Sequence, residues 1–366
     1  MIFSTHRTEL QFGKTQPMNR QNELLDELEI NEFISFHKID TSKIVNSLNR
    51  NRVQRFIVFG DIIVDKYVNT TPLGLSQEEP VIVVTPESEE TFFGGAAVVA
   101  NLANDFGVKT ALFTLVGKEK EGRDAKAEIE SKGIDGHFFS DFEAKTVTKL
   151  KYYIQGTPQM RVNIFAGTPP SLEYEDRIAK SILKHSISSS CIIFSDFNYG
   201  SIPNSKIETI INSFRQKGVI VAADSQTSSQ MGRIGKFFSA DFISLTEHEA
   251  RVEIKDFESN LNSLILNICS RVKSKYVLLK LGSRGLMAAE RTGDNWDVFS
   301  MNALNADPVD VSGAGDSMIV AACIGLSSGL SFKAAVLIAN IAAGLQVGNI
   351  GHGQVSKDKI LSWIKS

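Results

Sequence analysis

The chain has 366 residues, a formal net charge of −3, 42% hydrophobic and 22% charged residues. This is ordinary globular usage, and the near balance of charge argues against a nucleic-acid or polyanionic partner. Length alone permits one large domain with additions or two smaller ones.

Met1–Lys14 lacks the apolar run of a secretory signal. Residues 1–40 are polar and poor in glycine, and read as an N-terminal extension. Its one amphipathic stretch, Asn22–Phe36, is predicted to be a helix docked on the body. Ser42–Leu48 predicts a second short helix. From Phe56 onward, short runs rich in β-branched residues recur at Phe56–Phe59, Ala111–Val116, Cys191–Phe194, Val219–Ala223, Phe242–Leu245 and Tyr276–Leu281. Helical segments lie between most of them, which predicts an α/β fold with a mainly parallel central sheet flanked by helices. Pro80–Thr85 is a strand with no helix after it, and Thr146–Ile154 with Met160–Ile164 reads as a hairpin around Gly156 and Pro158. These pieces, about 66–86 and 146–165, predict a small β-sheet outside the main one, acting as a lid or an interface.

The apolar stretches Met318–Leu326 and Ala334–Val347 are too short and interrupted to span a bilayer, so no membrane partner and a cytoplasmic location are expected. Cys191, Cys269 and Cys323 each lie in an apolar run and read as buried free thiols. No two of the six histidines stand at ligand spacing, which disfavours a transition-metal site.

The strand ends carry polar groups: Gly60-Asp61, Ser195-Asp196, Asp224, Glu247 and Gly282. In an open parallel sheet, ligands bind outside the carboxyl ends of the strands. Asp310-Val311-Ser312-Gly313-Ala314-Gly315-Asp316 precedes a helix predicted to start near Ser317. Its glycines let the backbone approach a ligand, and freed N–H groups at a helix start favour an anion. A carboxylate beside such a site makes sense as the base for an attacking hydroxyl. Ser312 and Asp316 would equally suit a plain helix cap.

This segment closely resembles the D-T-x-G-A-G-D signature of the ribokinase-like (PfkB) sugar kinases. Gly94-Gly95-Ala96-Ala97-Val98-Val99-Ala100-Asn101-Leu102-Ala103 resembles the same family's G-G-x-x-x-N-x-A pattern, in the expected order. The resemblance runs from about Val53 to the end. Within the family, the likeness is greatest to the kinase half of the bifunctional heptose enzymes. It rests on Gly60–Tyr67, Glu79–Val84, Thr148–Lys151, Ser195–Phe197 and Val347–Gly351. No second, nucleotidyltransferase unit is recognised.

The resemblance implies a ribokinase-like domain over 41–366 with a β-lid. It implies ATP-dependent phosphorylation of a sugar or sugar phosphate, with D-glycero-D-manno-heptose 7-phosphate phosphorylated at O1 as the model substrate. By resemblance Asp316 is the catalytic base and Gly313, Ala314 and Gly315 form the anion hole. Asp310 would help hold a monovalent cation such as potassium. Asp61, Asp65 and Asp196 fall among substrate-binding positions, with Gly94 and Gly95 passing backbone close to the sugar. Ser244-Leu245-Thr246-Glu247 aligns with the family's N-x-x-E, Glu247 organising Mg²⁺ through its water shell. Lys280-Leu281-Gly282-Ser283-Arg284-Gly285 resembles the T-x-G-x-x-G turn. Gly282 and Gly285 would lie near the nucleotide, Lys280 would reach a phosphate, and Asn340 would line the adenine pocket.

A phosphate on the substrate would need cations, and Lys149, Lys151 and Arg161 lie on the predicted lid hairpin. Lys149 and Lys151 share a strand face, although lysines also occur there to deter edge pairing. Val98 and Ser244 replace family asparagines, which keeps open a kinase for another sugar or a nucleoside. A non-catalytic nucleotide- or metabolite-binding protein is a third reading, supported by the extension. A dehydrogenase is disfavoured, since no G-x-G-x-x-G follows the first strand. The lid sheet suggests a homodimer.

Overall fold

The computed structural model describes residues 25–49, 54–227, 230–349 and 355–365. Its central sheet contains the parallel strands β1 (Arg55–Gly60), β4 (Lys109–Leu115), β5 (Asp135–Phe139), β8 (Cys191–Asp196), β9 (Ile220–Ser225), β10 (Phe242–Thr246) and β11 (Tyr276–Lys280). An antiparallel edge, β12 (Leu286–Thr292) and β13 (Asn295–Met301), completes the order β13-β12-β11-β10-β9-β8-β1-β4-β5.

Side chains alternate across this sheet, so each strand feeds two cores. Phe56 and Val58 pack with α3 (Ala96–Asp105), α9 (Ala314–Ser327) and α10 (Phe332–Val347) on one face. Ile57 and Phe59 pack with α5 (Leu172–His185), α6 (Ile207–Arg215) and α8 (Leu261–Val272) on the other. Burial on both faces explains why these strands read as continuous apolar runs. The sequence reading did not anticipate β5, β12 or β13, which are shorter in apolar content and partly exposed.

The second sheet has the order β3-β2-β6-β7, from β2 (Ile62–Leu75), β3 (Ile82–Gly95), β6 (Val147–Ile154) and β7 (Thr157–Ile164). β2 pairs parallel with β6, and the outer pairs are antiparallel. Its strands reach further than the predicted 66–86. β2 starts directly after β1, and β3 continues to Gly95 through a polar stretch exposed on both sides that shows no apolar alternation.

The extension's helix is docked on the body and enters its core. Residues 22–24 of the expected helix lie outside the described residues. Helix α1 (Glu27–Phe36) is capped by Asp26, whose carboxylate accepts the Glu29 N–H at 3.0 Å. Leu25, Ile30 and Phe33 join the same core as α3, α9 and α10, as does Ile44 of α2 (Thr41–Asn49). Glu29 accepts from the Asn302 backbone N–H and side-chain amide at 2.9 and 3.0 Å. The three cysteines are buried and unpaired, as expected. Among the described residues no helix is long and apolar enough to cross a membrane.

Candidate active site

Helix α9 starts at the carboxyl edge of the central sheet, and its entry is set by Gly313. That residue caps the helix with φ +76°, a left-handed conformation that side chains with a Cβ adopt rarely. The turn places the first turn of the helix in the wall of a cleft of about 590 Å³. Gln226, Glu249, Lys280, Gly282, Gly285, Gly313, Ala314, Gly315, Asp316 and Asn340 lie in its wall. The structure thus brings together residues drawn from five separate strand ends and helices.

Asp316 stands in the first turn of α9, and its carboxylate accepts a hydrogen bond from the Gln226 side-chain amide at 3.2 Å. Gln226 follows β9, and its own N–H donates to the Asp196 carbonyl. Sequence reasoning missed Gln226, because a lone glutamine in a loop carries no motif.

Lys280 ends β11 and points into the floor of the cleft. Its Nζ lies 2.6 Å from Asp224 Oδ2, with both side chains nearly buried. A Cβ on Gly315 would sit 3.2 Å from the same Nζ, so the absence of a side chain there admits the ammonium to the helix start. Burial lowers the Lys280 pKa, but Asp224, Glu249 and Asp316 outweigh it, leaving the group above its usual value and cationic. Burial raises the Asp224 carboxyl to about 7 against the opposing pull of Lys280. The unfolded chain releases this proton near pH 4. Between about 4 and 7 the folded state therefore holds the extra proton, and raising pH through that window lowers stability. The loss is complete above the folded value. Asp224→Asn is expected to remove this slope, a change readable from thermal midpoints measured at pH 5 and pH 7.5. An unaltered slope would refute the assignment.

Ser244 pairs in register with Asp224, is fully buried, and lies beneath the cleft rather than in its wall. Ser244 Oγ and Asp224 Oδ1 are both buried without a hydrogen-bond partner. Glu247 sits in an adjoining hollow, where Arg251 Nε and Nη2 approach it at 2.9 and 2.8 Å and Arg284 closes on its other oxygen. Glu249, not singled out from sequence, reaches the cleft wall itself. It completes the capping box of α7 (Glu247–Ile254) with Thr246 and accepts the Thr227 N–H at 2.9 Å. A hard divalent cation takes oxygen donors and keeps much of its water. Asp316 in the wall offers such a donor; Glu249 beside it already accepts the Thr227 and Thr246 N–H groups, and Glu247 one step behind is held by two arginines, so both would act through the ion's water shell. Gly282 and Gly285 bracket a 3-10 turn that borders the same wall. Asn340 donates to the Asn302 carbonyl at 2.8 Å, fixing the loop that α1 grips from outside. Asp310 accepts the Ser312 N–H at 2.9 Å in the loop before α9.

The sugar-side residues fall into two groups. Asp61 and Asp196 are buried and committed to the frame. Asp61 accepts backbone N–H groups of Phe197, Tyr199 and Ser201 at 2.9, 3.2 and 3.0 Å. Burial, and Asp196 nearby, raise its pKa against those bonds. Asp196 accepts from Ser225 at 2.6 Å and pairs with Lys236 Nζ at 2.7 Å. The second group lies on the inner face of the small sheet. There Asp65 registers with Lys149, and Tyr67 with Lys151, which in turn registers with Arg161. Ile63 and Val147 of this face pack on Phe197, and Lys149 Nζ lies 5.9 and 5.8 Å from the Phe197 and Tyr199 ring centres. Gly94 lies opposite Ile63, and a Cβ there would come within 3.1 Å of Asp65. Gly95, at φ +64°, lets the Asp61 carbonyl approach the start of α3. Val98 is buried in the core.

A family model described as pfkB family carbohydrate kinase matches residues 53–359. The chain belongs to the PfkB family. Its family is one of carbohydrate kinases. Among curated proteins it is similar to the bifunctional protein HldE of Coxiella burnetii (strain Dugway 5J108-111), 29% identical over 305 residues. That match covers 82% of this chain and 62% of the relative. The bifunctional protein HldE of Geotalea uraniireducens (strain Rf4) is 25% identical over 331 residues, covering 89% of this chain and 66% of that one. The chain thus spans less than two thirds of the length of these relatives. Among solved structures, Arabidopsis thaliana ribokinase complexed with ribose and ATP shares the fold with a TM-score of 0.67 at 21% identity, over 86% of this chain and 99% of that one. Escherichia coli phosphofructokinase-2 in complex with potassium gives 0.66 at 14% identity, over 86% of this chain and all of that one. The fold of this PfkB kinase is therefore ribokinase-like, with the small sheet standing beside the carboxyl edge.

Proposed function

We propose that this kinase transfers the γ-phosphoryl group of ATP to O1 of a heptose 7-phosphate. The observation that carries the reading is the cationic inner face of the small sheet. Lys149 is largely buried, and burial lowers its pKa; Arg161 and Lys151 lower it further, while Asp65 opposes them. Lys151 has Asp65 at 3.1 Å. Cations crowded this way gain from an anion placed between them. The sequence likeness to heptose kinases supports the sugar.

In the proposed mechanism, Asp316 takes the proton of the acceptor hydroxyl, and Gln226 holds the carboxylate in orientation. The N–H groups of Ala314 and Gly315, with the Lys280 ammonium, receive the charge of the transferring group. Gly282, Gly285 and Asn340 border the nucleotide. Bound Mg²⁺, held from the Glu249, Asp316 and Glu247 side, would supply charge neutralisation on the phosphates. Potassium near Asp310 would steady the loop before α9. Asp61 and Asp196 hold the loop after β8 rather than the sugar, and Asp65 is the carboxylate left to receive its hydroxyls. We place the protein in the cytoplasm, where buried unpaired thiols persist.

ADP release measured across phosphorylated and free sugars tests this. Heptose 7-phosphate should outrank the free sugar. Arg161→Gln and Lys149→Gln should each raise KM for the phosphorylated acceptor about tenfold to a hundredfold, with kcat changed only a few-fold. Equal effects on phosphorylated and free acceptors would overturn the phosphate assignment. The lid also exposes Leu75, Ile82, Met160 and Val162, and a homodimer joined there is expected. Light scattering should return twice the 40.2 kDa chain mass, and a monomer at micromolar concentration would refute the dimer.

A further inference from the structure

At the opposite, amino-terminal edge of the sheet, three side chains absent from the kinase chemistry converge. Asp135 and His137 alternate along β5 and share a face. His185 is the last residue of α5. Their ligand atoms all lie within 4.8 Å of one another, and Asp135 Oδ2 is 3.2 Å from His137 Nε2. We propose that Asp135, His137 and His185 form a binding site for a divalent first-row transition ion, of which Zn²⁺ is the representative.

Two features show preparation for a ligand. His185 Nδ1 is 2.9 Å from the Ser181 carbonyl one helical turn back. A carbonyl can only accept, so Nδ1 carries the hydrogen and Nε2 presents its lone pair. Metal-ligating histidines are oriented in this way by a hydrogen bond to their other nitrogen. His137 is held from the other side, its ring stacked on Phe113 at 4.3 Å and 5°. Its Nε2 is buried without a hydrogen-bond partner. A ring fixed by stacking, whose nitrogen faces the Asp135 carboxylate at 3.2 Å without forming a hydrogen bond, is placed to share a ligand with that carboxylate. His137 and His185 meet edge to face at 4.7 Å.

Two imidazoles and one carboxylate make three protein ligands with an open fourth position, a donor set that suits Zn²⁺ and its neighbours rather than Mg²⁺. The hollow beside the cluster, about 450 Å³ and bordered by Arg55, Lys109 and Ser189, gives solvent access for that fourth ligand. Bound metal would pin β5 to the end of α5. The chain between them contains the lid strands β6 and β7, so the ion would close the base of the loop that carries the lid.

The test uses the full chain with Co²⁺ and Zn²⁺, in excess Mg²⁺ to occupy oxygen-only sites. Wild type is expected to bind one Co²⁺ with a visible d–d absorption band, displaced by Zn²⁺. Zn²⁺ should also raise the thermal midpoint, because it binds the folded state alone. Asp135→Asn, on an exposed position, and His185→Gln, which retains the helix end, should each weaken binding at least about tenfold. Both should remove the thermal shift and leave kinase turnover unchanged in the absence of Zn²⁺. An unchanged band or affinity in Asp135→Asn and His185→Gln would overturn the site, as would a wild-type protein that binds neither ion.

Discussion

Asp316→Asn is expected to lower kcat about a thousandfold while ATP affinity stays within a few-fold of wild type. The carboxylate sits in the first turn of α9, in the cleft wall, held by Gln226 at 3.2 Å. Asparagine keeps that contact and the helix start but cannot take a proton. The loss therefore falls on the chemical step and not on nucleotide binding, and single-turnover kinetics with ATP in excess separates the two. Gln226→Ala should reproduce a small part of the defect, since it frees the base without removing it. Turnover in Asp316→Asn near the wild-type rate would refute the role of Asp316.

Lys280→Met is expected to cost about a hundredfold to a thousandfold in kcat, the range for losing one preorganised donor to developing charge. The ammonium reaches the start of α9 because Gly315 has no side chain, and three carboxyl groups keep it charged. Removal leaves Asp224 buried without its counter-ion. That carboxyl already titrates at about 7, so it takes a proton and the variant should fold, with a thermal midpoint several degrees lower. Adding Asp224→Asn to Lys280→Met should restore the midpoint but not the rate. If the double variant recovers turnover, Lys280 acts only by holding Asp224, and its contact with phosphate is refuted.

The Asp310–Asp316 segment was readable because a glycine turn and a carboxylate at a helix start are local, and local geometry follows from local sequence. The central strands were readable for the same reason: burial on both faces leaves an unbroken apolar run. β3 was only partly readable, since a strand exposed on both sides from Pro86 to Thr91 has no apolar alternation to reveal it. Asp61 illustrates a different limit. Its place at a strand end pointed to the ligand, but whether a carboxylate faces substrate or backbone depends on where a distant loop folds. Here the 197–201 loop takes both of its oxygens.

Sequence by itself determined the family and the mainly parallel α/β architecture, which rest on contiguous residues and on periodicity. Tertiary structure alone decided which acids face the cleft, placing Glu249 in its wall and Glu247 under two arginines. It also brought Gln226 to Asp316, Lys280 to Gly315 and His185 to His137. These pairings join residues 90, 35 and 48 positions apart. The chain must cross the sheet to form them, and no spacing within a single element records where such a crossing ends.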